Sequence, residues 1–137
     1  AKKAFARLRK LDGFEGVVVQ KMVKGKEIII GGKQDEQFGP TILFGMGGIF
    51  VEVFRDYSIR ICPISSKDAK EMVTEIKSYK LLEGYRGKAG VDIKAVEKEL
   101  LKVSKMLMKE RKIKELDFNP LMATEQGVVA VDARVVV

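Results

Sequence analysis

The chain has 137 residues, and 46% of them are hydrophobic, which is enough for one domain with one core. Because it contains no histidine, a Ser-His-Asp or Cys-His nucleophile, a histidine general base and a Cys/His zinc site are all excluded within this chain. The single cysteine, Cys62, cannot form an intramolecular disulfide, and its apolar neighbours suggest burial in a protein of the reducing cytoplasm. No run of about 18 apolar residues occurs, so the sequence predicts no membrane span and no membrane partner.

The net charge of +7 comes from 26 Lys and Arg residues against 19 Asp and Glu residues. A basic balance favours a polyanionic partner, such as nucleic acid, an anionic membrane surface or a phosphorylated small molecule. The positive residues are spread along the chain, aromatic residues make up only 7% of it, and tryptophan is absent, so base stacking has little support. Nucleic-acid binding therefore stays the weaker alternative, in which the chain is a non-catalytic basic binding module or an assembly subunit.

The first third of the chain predicts a helix followed by a hairpin. Residues 1–11 are basic, with apolar residues at helical spacing, which indicates an amphipathic helix and not a secretory signal. Residues 16–23 predict a strand, and after a short turn residues 26–30 predict the strand that returns. Three consecutive isoleucines in the second strand indicate a central position covered on both faces. Gly31 and Gly32 then suggest a bulge or a close backbone approach.

The middle of the chain changes from strands to helices. Further strands are predicted at residues 41–44, 49–54 and 58–62. The glycine-rich segment 45–48 joins strand to strand and has neither phosphate-loop spacing, so a tight turn is the favoured interpretation. Capping residues at 65–68 predict a helix that reaches Ile76, and residues 91–108 predict a longer one. Because strands come first, helices follow and two strands return, we expect an α+β fold with a mainly antiparallel sheet flanked by helices.

The last quarter of the chain carries the clearest pattern. Residues 116–121 and 129–135 alternate apolar and polar positions, and a polar segment that ends in Gly127 joins them, which predicts a hairpin. If the turn is centred between Glu125 and Gln126, paired positions sum to 251, as 125 and 126 do.

This register places four polar side chains on one face of the hairpin. Asn119 faces Asp132 and Asp117 faces Arg134, and directly opposed Cβ atoms lie only ~5 Å apart. The expected core face carries Leu116, Phe118, Met122, Val129, Val131, Ala133 and Val135. Carboxylate and amide oxygens that converge in this way are the ligands that Mg²⁺ prefers. The alternative is a solvated face on which Asp117 and Arg134 form a cross-strand ion pair.

Several motifs follow one another in an order that resembles a known family. They are residues 27–40, 44–52, 81–87, 116–121 and 131–134. Together they resemble the ATP-grasp region of NDP-forming acyl-CoA synthetases, in particular the β subunits of ADP-forming acetate–CoA ligases. The resemblance covers residues 14–137 and implies an ATP-grasp fold. We expect residues 1–137 to form one ATP-grasp subdomain, the C-terminal one, within a longer subunit that also contains the N-terminal half.

The resemblance implies that ATP or ADP binds in a cleft with Mg²⁺. The family's hinge along the adenine edge matches residues 19–23, with backbone contacts around Gln20, Met22 and Val23. The carboxylate that matches Glu27 faces the nucleotide. Succinyl-type relatives carry an acid at the position of Gln20, so this contact is expected to differ.

The resemblance also assigns roles to the final hairpin. The family's metal ligands match Asn119 and Asp132, the two residues that the register places opposite each other. Arg134 and Asp117 are implied to flank the transferring phosphate, where the guanidinium neutralises charge and the acid positions a phosphorylated partner group.

The implied reaction converts acyl-CoA, ADP and phosphate into acid, CoA and ATP through a phosphohistidine. Because this chain has no histidine, the phosphorylated residue is expected on another segment. The implied partners are therefore an adenine nucleotide, the remaining ATP-grasp half, and a CoA-binding, histidine-bearing subunit or domain. The chain is expected to be one component of an acid–thiol ligase that does not turn over alone.

Overall fold

The described part of the chain is organised by a six-stranded antiparallel sheet. The computed structural model describes residues 2–48, 53–85, 87 and 89–137. Its elements are α1 (Lys2–Leu8), β1 (Lys26–Asp35), β2 (Gly39–Met46), β3 (Tyr57–Ile61), α2 (Ser66–Glu75), α3 (Tyr79–Glu83), α4 (Ile93–Lys109), β4 (Glu115–Thr124), β5 (Gly127–Ala130) and β6 (Arg134–Val136). The strand order is β3-β2-β1-β4-β5, and β6 pairs with β4 beyond the end of β5. The expected α+β fold class with an antiparallel sheet is confirmed.

The core lies between one face of the sheet and the helices α2 and α4. Side chains that alternate along β1 and β2 point into it, and the fully buried ones are Ile28, Ile30, Ile42 and Phe44. Helix α4 contributes Val96, Leu100, Val103 and Leu107, at the spacing that puts residues on one helical face. Gly32 lets α4 approach, because a Cβ there would lie 2.5 Å from Leu107 Cδ1. The expected close backbone approach at the paired glycines is therefore confirmed, and Ile28–Ile30 are buried in a central strand as expected.

Helix α2 begins where the sequence predicts, α4 begins two residues after the predicted start, and the short helix α3 was not predicted. Ser65 caps α2 through a capping box, in which its hydroxyl accepts from Asp68 N and its own N–H donates to the Asp68 carboxylate. Asp92 caps α4 by accepting from Ala95 N. Within the described residues, no helix combines the length and the apolar composition that crossing a bilayer requires.

The predicted hairpin of residues 16–23 with residues 26–30 is wrong. Residues 14–24 contain neither strand nor helix, and Val18, Val19 and Met22 are 85%, 86% and 83% exposed. The physical reason is that both sides of β1 are already occupied, by β2 on one side and by β4 on the other. Local β-propensity identified a segment suited to a strand, but a strand also needs a free neighbour.

The strand predicted for residues 49–54 can be compared with the structure only at residues 53 and 54. Residues 49–52 lie outside the described residues, and residues 53 and 54 are in a turn. The strands predicted at 41–44 and 58–62 correspond to β2 and β3, and each is placed within a few residues.

The final hairpin has the predicted register but contains a bulge. Every pair between β4 and β5 or β6 sums to 251, from Thr124 with Gly127 to Glu115 with Val136. Against β1, however, Ile28 pairs with Leu121 whereas Ile30 pairs with Phe118, so β4 carries one extra residue at Asn119–Pro120. Proline has no N–H to donate, which suits a position where the ladder is interrupted.

The bulge overturns part of the predicted core face. Leu116 and Phe118 face the core as expected, but beyond the bulge the core residues are Leu121 and Ala123. Met122 is buried on the other face, and Val129, Val131, Ala133 and Val135 are exposed. One additional residue moves all subsequent side chains to the opposite side, because strand side chains alternate with a period of two.

Candidate functional site

The sheet face opposite α2 and α4, here called the open face, carries the candidate site residues of the strands. Alternation puts Glu27, Ile29 and Gly31 of β1 on this face, since Ile28 and Ile30 point into the core. A groove of about 330 Å³ crosses it, lined by Ile29, Gly31, Lys33, Leu43, Ile59 and Asp117 among others. Gly31 has no side chain, so the space beside Asp117, its partner in the ladder, remains open.

Asp117 and Arg134 are direct cross-strand partners, as the sequence register predicts. Burial raises the pKa of the half-buried Asp117 carboxyl above its usual value, and repulsion from Glu115 adds to that effect. Arg134 opposes the shift, and Asp132 contributes to it. Three carboxylates and one guanidinium therefore interact electrostatically at this end of β4.

The register places Asn119 opposite Asp132, because the flanking pairs Leu121 with Ala130 and Asp117 with Arg134 both sum to 251. The ladder is broken at residues 131–133, between β5 and β6, although Val131 N still donates to Pro120 O at 3.1 Å. Both side chains are exposed. The Asp132 carboxylate accepts from Ala133 N at 2.9 Å and has its second oxygen available for another partner.

Glu27 lies beside Gly47 and Gly48, here called the glycine turn, which directly follow β2. The turn predicted for residues 45–48 is wrong in its first half, because Gly45 and Met46 pair with β1 as the end of β2. Gly47 N donates to Glu27 O at 2.8 Å, and a Cβ on Gly47 would come within 3.0 Å of Glu27 Cβ. Gly48 has a φ of +62°, and the position of its missing Cβ is 3.8 Å from Glu27 Oε2. Glycine at both positions therefore allows the turn to close against the strand and its carboxylate.

The structure separates the predicted site residues into groups. Glu27 lies four residues before Gly31 on β1, about 13 Å from the level of Asp117 at the usual rise of a strand. Gln20, Met22 and Val23 lie in the segment that leads into β1, where Met22 is exposed and Val23 is half-buried.

Glu115 was missed by sequence reasoning. It begins β4 two residues before Asp117, pairs with Lys33 and Val136, and raises the Asp117 pKa by repulsion. The signal that was available is its spacing, because residues at i and i+2 of a strand share a face. The predicted strand began at Leu116, one residue too late to include it.

Comparison with known proteins assigns the family. The family model of the ATP-grasp domain matches residues 2–137. The chain belongs to the ATP-grasp family. Among similar ATP-grasp proteins, an ADP-forming acetate–CoA ligase I of Archaeoglobus fulgidus is 51% identical over 123 residues, covering 89% of this chain and 18% of that protein. The β subunit of ADP-forming acetate–CoA ligase I of Pyrococcus furiosus is 45% identical over 122 residues, covering 88% of this chain and 53% of that subunit.

Solved structures agree with this ATP-grasp assignment. The apo form of an acetyl-coenzyme A synthetase 1 from Ca. Korarchaeum cryptofilum has a TM-score of 0.89 and 43% identity, and the match covers 99% of this chain and 65% of that one. A complex of this synthetase with coenzyme A and Mg-AMPPCP, its phosphohistidine segment pointing towards the nucleotide binding site, has a TM-score of 0.82 and 46% identity, with coverages of 85% and 55%. The chain spans about half the length of the β subunits it matches. The expected fold and relationship are both confirmed.

Proposed function

We propose that this chain provides the nucleotide- and magnesium-binding surface of an ADP-forming acyl-CoA ligase, with acetate–CoA ligase as the nearest activity. The observation that carries the proposal is the pairing of Asp117 with Arg134, with Asp132 in electrostatic reach and Asn119 facing it across the interrupted hairpin. This arrangement occurs in a chain whose relatives are ligases of that kind.

The donor atoms on this surface fit a magnesium ion. Burial is the main cause of the raised pKa of Asp117, and repulsion from Glu115 and Asp132 adds to it against the opposing charge of Arg134. A cation beside these carboxylates would be stabilised by their negative charge. The ligands would be the Asn119 amide oxygen and the Asp132 carboxylate. Within the described residues no group of three or more His, Cys, Asp or Glu side chains could hold a metal ion. Water and nucleotide phosphates would supply the other ligands of the ion. When bound, Mg²⁺ would offset the charge of those phosphates.

The remaining residues have roles that follow from their charge and position. The Arg134 guanidinium neutralises negative charge on the phosphoryl group in transfer, because its five donors match phosphate oxygens. Asp117, next to Arg134, positions the group that exchanges the phosphoryl. Backbone groups around Gln20, Met22 and Val23 bind the adenine edge, and Glu27 faces the nucleotide beside the glycine turn.

The reaction of the whole enzyme requires parts that this chain does not contain. Acyl-CoA, ADP and phosphate are interconverted with acid, CoA and ATP, and the phosphoryl group passes between the nucleotide and a phosphohistidine. Since the chain has no histidine, that residue belongs to another segment, on a CoA-binding subunit or domain. The other partner is the remaining ATP-grasp half, and the assembly works in the cytoplasm.

Replacement of Asp132 tests the metal assignment in the complete enzyme. We expect Asp132→Ala to lower phosphoryl transfer to the nucleotide by at least about 100-fold while its melting temperature without nucleotide is unchanged, since the exposed carboxylate makes no core contact. Transfer is measured by rapid quench, and Mn²⁺ affinity by electron paramagnetic resonance. Glu125→Ala, an exposed acid in the turn of the same hairpin, is the matched control. Normal transfer in Asp132→Ala would remove the assignment.

A further inference from the structure

A second cavity lies at the end of the sheet where the glycine turn begins. It measures about 460 Å³ and is lined by Phe54, Asp56, Lys77, Lys80, Leu81 and Tyr85. We call it the β2–β3 pocket, because Phe54 and Asp56 directly precede β3, and the glycine turn directly follows β2. Gly45 pairs with Tyr57, so the two ends of this connection lie side by side. The pocket is thus close to the end of the sheet that carries Glu27 and Gly47.

The walls of the β2–β3 pocket are mostly apolar, and two exposed lysines, Lys77 and Lys80, lie among its lining residues. Phe54, Leu81 and Tyr85 supply aromatic and aliphatic surface, and Phe54 remains 59% exposed. Lys80 forms an ion pair with Glu83 at 3.0 Å. Because an exposed ion pair is weak, an incoming phosphoryl group can replace Glu83 as the partner of Lys80. A volume of this size is within the range of pockets that bind a ligand or anchor a side chain.

Asp56 is the acid among the described residues that line the pocket, and its carboxylate is buried. Asp56 is only 5% exposed, and its two carboxylate oxygens accept from Lys77 N at 2.7 Å and Ser78 N at 2.8 Å. Its charge is therefore taken up largely by the backbone, and the exposed ammonium groups of Lys77 and Lys80 are the cations that an incoming group meets beside it. The complementary occupant has an apolar side chain next to negative charge.

We propose that the β2–β3 pocket anchors the histidine-bearing segment of the partner while that segment is at the nucleotide. The inference rests on the proposed function and names the surface that holds this partner. A phosphorylated segment has the required negative charge, and in a Ca. Korarchaeum cryptofilum relative such a segment points towards the nucleotide binding site. An apolar residue of the segment fills the pocket, while the two lysines attract its phosphoryl group towards the glycine turn.

Anchoring matters because the transfer needs the reacting atoms in line. The histidine N–P bond breaks with its electron pair left on the ring nitrogen, and an oxygen of the ADP β-phosphate forms the new O–P bond. The protein's contribution to such a step is mostly positioning and charge stabilisation. A segment that comes from another subunit has to be held in place for that step.

The experiment uses the complete enzyme, phosphorylated from acetyl-CoA and labelled phosphate and then mixed with Mg-ADP. We expect Phe54→Ala and Tyr85→Ala each to slow transfer to Mg-ADP about tenfold or more, with the affinity for Mg-ADP and the rate of phosphohistidine formation within about twofold of wild type. Phe38→Ala is the matched control, because Phe38 is 61% exposed in the turn at the opposite end of the β1–β2 hairpin.

A charge variant tests the lysines independently of the apolar wall. Lys80→Glu is expected to slow transfer most strongly at low salt, since the attraction between exposed charges is screened as salt increases. Its control is Lys102→Glu, because Lys102 forms an ion pair with Glu99 at 2.8 Å, as Lys80 does with Glu83 at 3.0 Å.

The outcomes separate this inference from the proposed function. If wild type transfers phosphate normally but Phe54→Ala, Tyr85→Ala and Lys80→Glu equal their controls, the anchoring role is wrong and the proposed function stands. Variants that change only the KM for acid or CoA would also overturn it, because the pocket would then hold a small molecule. If wild type neither binds Mg-ADP nor passes its phosphoryl group to it, both fail together.

Discussion

Asp117 shows how a single side chain can work against stability at a candidate site. It is half-buried, next to Glu115 and within reach of Asp132, and Arg134 only partly compensates the resulting repulsion. In the absence of nucleotide and metal, this carboxylate costs free energy of folding. Such a cost is expected where charge is arranged for a ligand and not for the folded chain itself.

Removal of the Asp117 charge should therefore stabilise the chain without ligand. We expect Asp117→Asn to raise the free energy of unfolding at neutral pH by less than about 1 kcal/mol, because Arg134 loses its partner while the repulsion disappears. Urea unfolding without nucleotide measures this change, with Glu125→Gln as an exposed control. A clear loss of stability would show that the ion pair with Arg134 dominates.

Asp56 is the opposite case, an acid whose ionised carboxylate stabilises the fold. Burial acts to raise its pKa, but hydrogen bonds from Ser78 and Lys77 outweigh that effect and hold the pKa below its ordinary value. Stability from a carboxyl with a lowered pKa is present above the unfolded pKa and is lost as the pH falls through the folded one.

Asp56→Ala should consequently destabilise in a pH-dependent way. We expect a loss of about 1–3 kcal/mol at pH 7, because two backbone N–H groups lose their acceptor. The difference from wild type should shrink as the pH falls below about 4, where the unfolded-state carboxyl begins to protonate. Urea titrations at several pH values measure it. A difference that stays constant into acid would mean that the carboxylate charge is not the source.

At the scale of elements, the bulge in β4 separates what the sequence could predict from what it could not. The register of the final hairpin was predictable because its short turn fixes which residues pair, and every observed pair agrees. The core face beyond Asn119 was not, because the extra residue appears only in the pairing of β4 with β1, which is distant in sequence. The strand predicted for residues 16–23 was wrong for a similar reason, because a strand forms only where another strand, often distant in sequence, is free to pair with it.

Helix α2 offers a local test, because its start is specified by side chains close in sequence. We expect Ser65→Ala to lower the free energy of unfolding by about 1 kcal/mol, since the Asp68 N–H would lose its acceptor. Ser66→Ala, at the next and exposed position, should be nearly neutral. Thermal unfolding of both variants measures the comparison, and equal effects would mean that the cap contributes nothing.

At the scale of the whole molecule, the sequence predicted the fold class and the family, and it placed Asp117, Asn119, Asp132 and Arg134 on the final hairpin in the observed register. The β2–β3 pocket was out of reach, because Phe54, Lys77 and Tyr85 come from separate connections that only the complete fold brings together. Their spacing in the sequence carries no periodic signal.

Hydrogen exchange should distinguish the central strand β1 from the unpaired segment that precedes it. We expect the amides of Ile28 and Ile30 to be among the slowest to exchange, because β1 is central and both residues are fully buried. The amides of Val18 and Val19 should exchange at nearly the rate of an unstructured peptide. Mass spectrometry of peptic fragments measures both regions, and strong protection of residues 16–23 would show that they pair in solution.

The two-sided character of this single layer has a practical consequence. The polar candidate residues of the strands, such as Glu27 and Asp117, project from one side, while the isoleucines and leucines that pack against the helices project from the other. Alternate positions of the same strands therefore serve the candidate site and the hydrophobic core. Substitutions at open-face positions can therefore change the chemistry of that surface while the core-face residues, which stabilise the fold, stay the same.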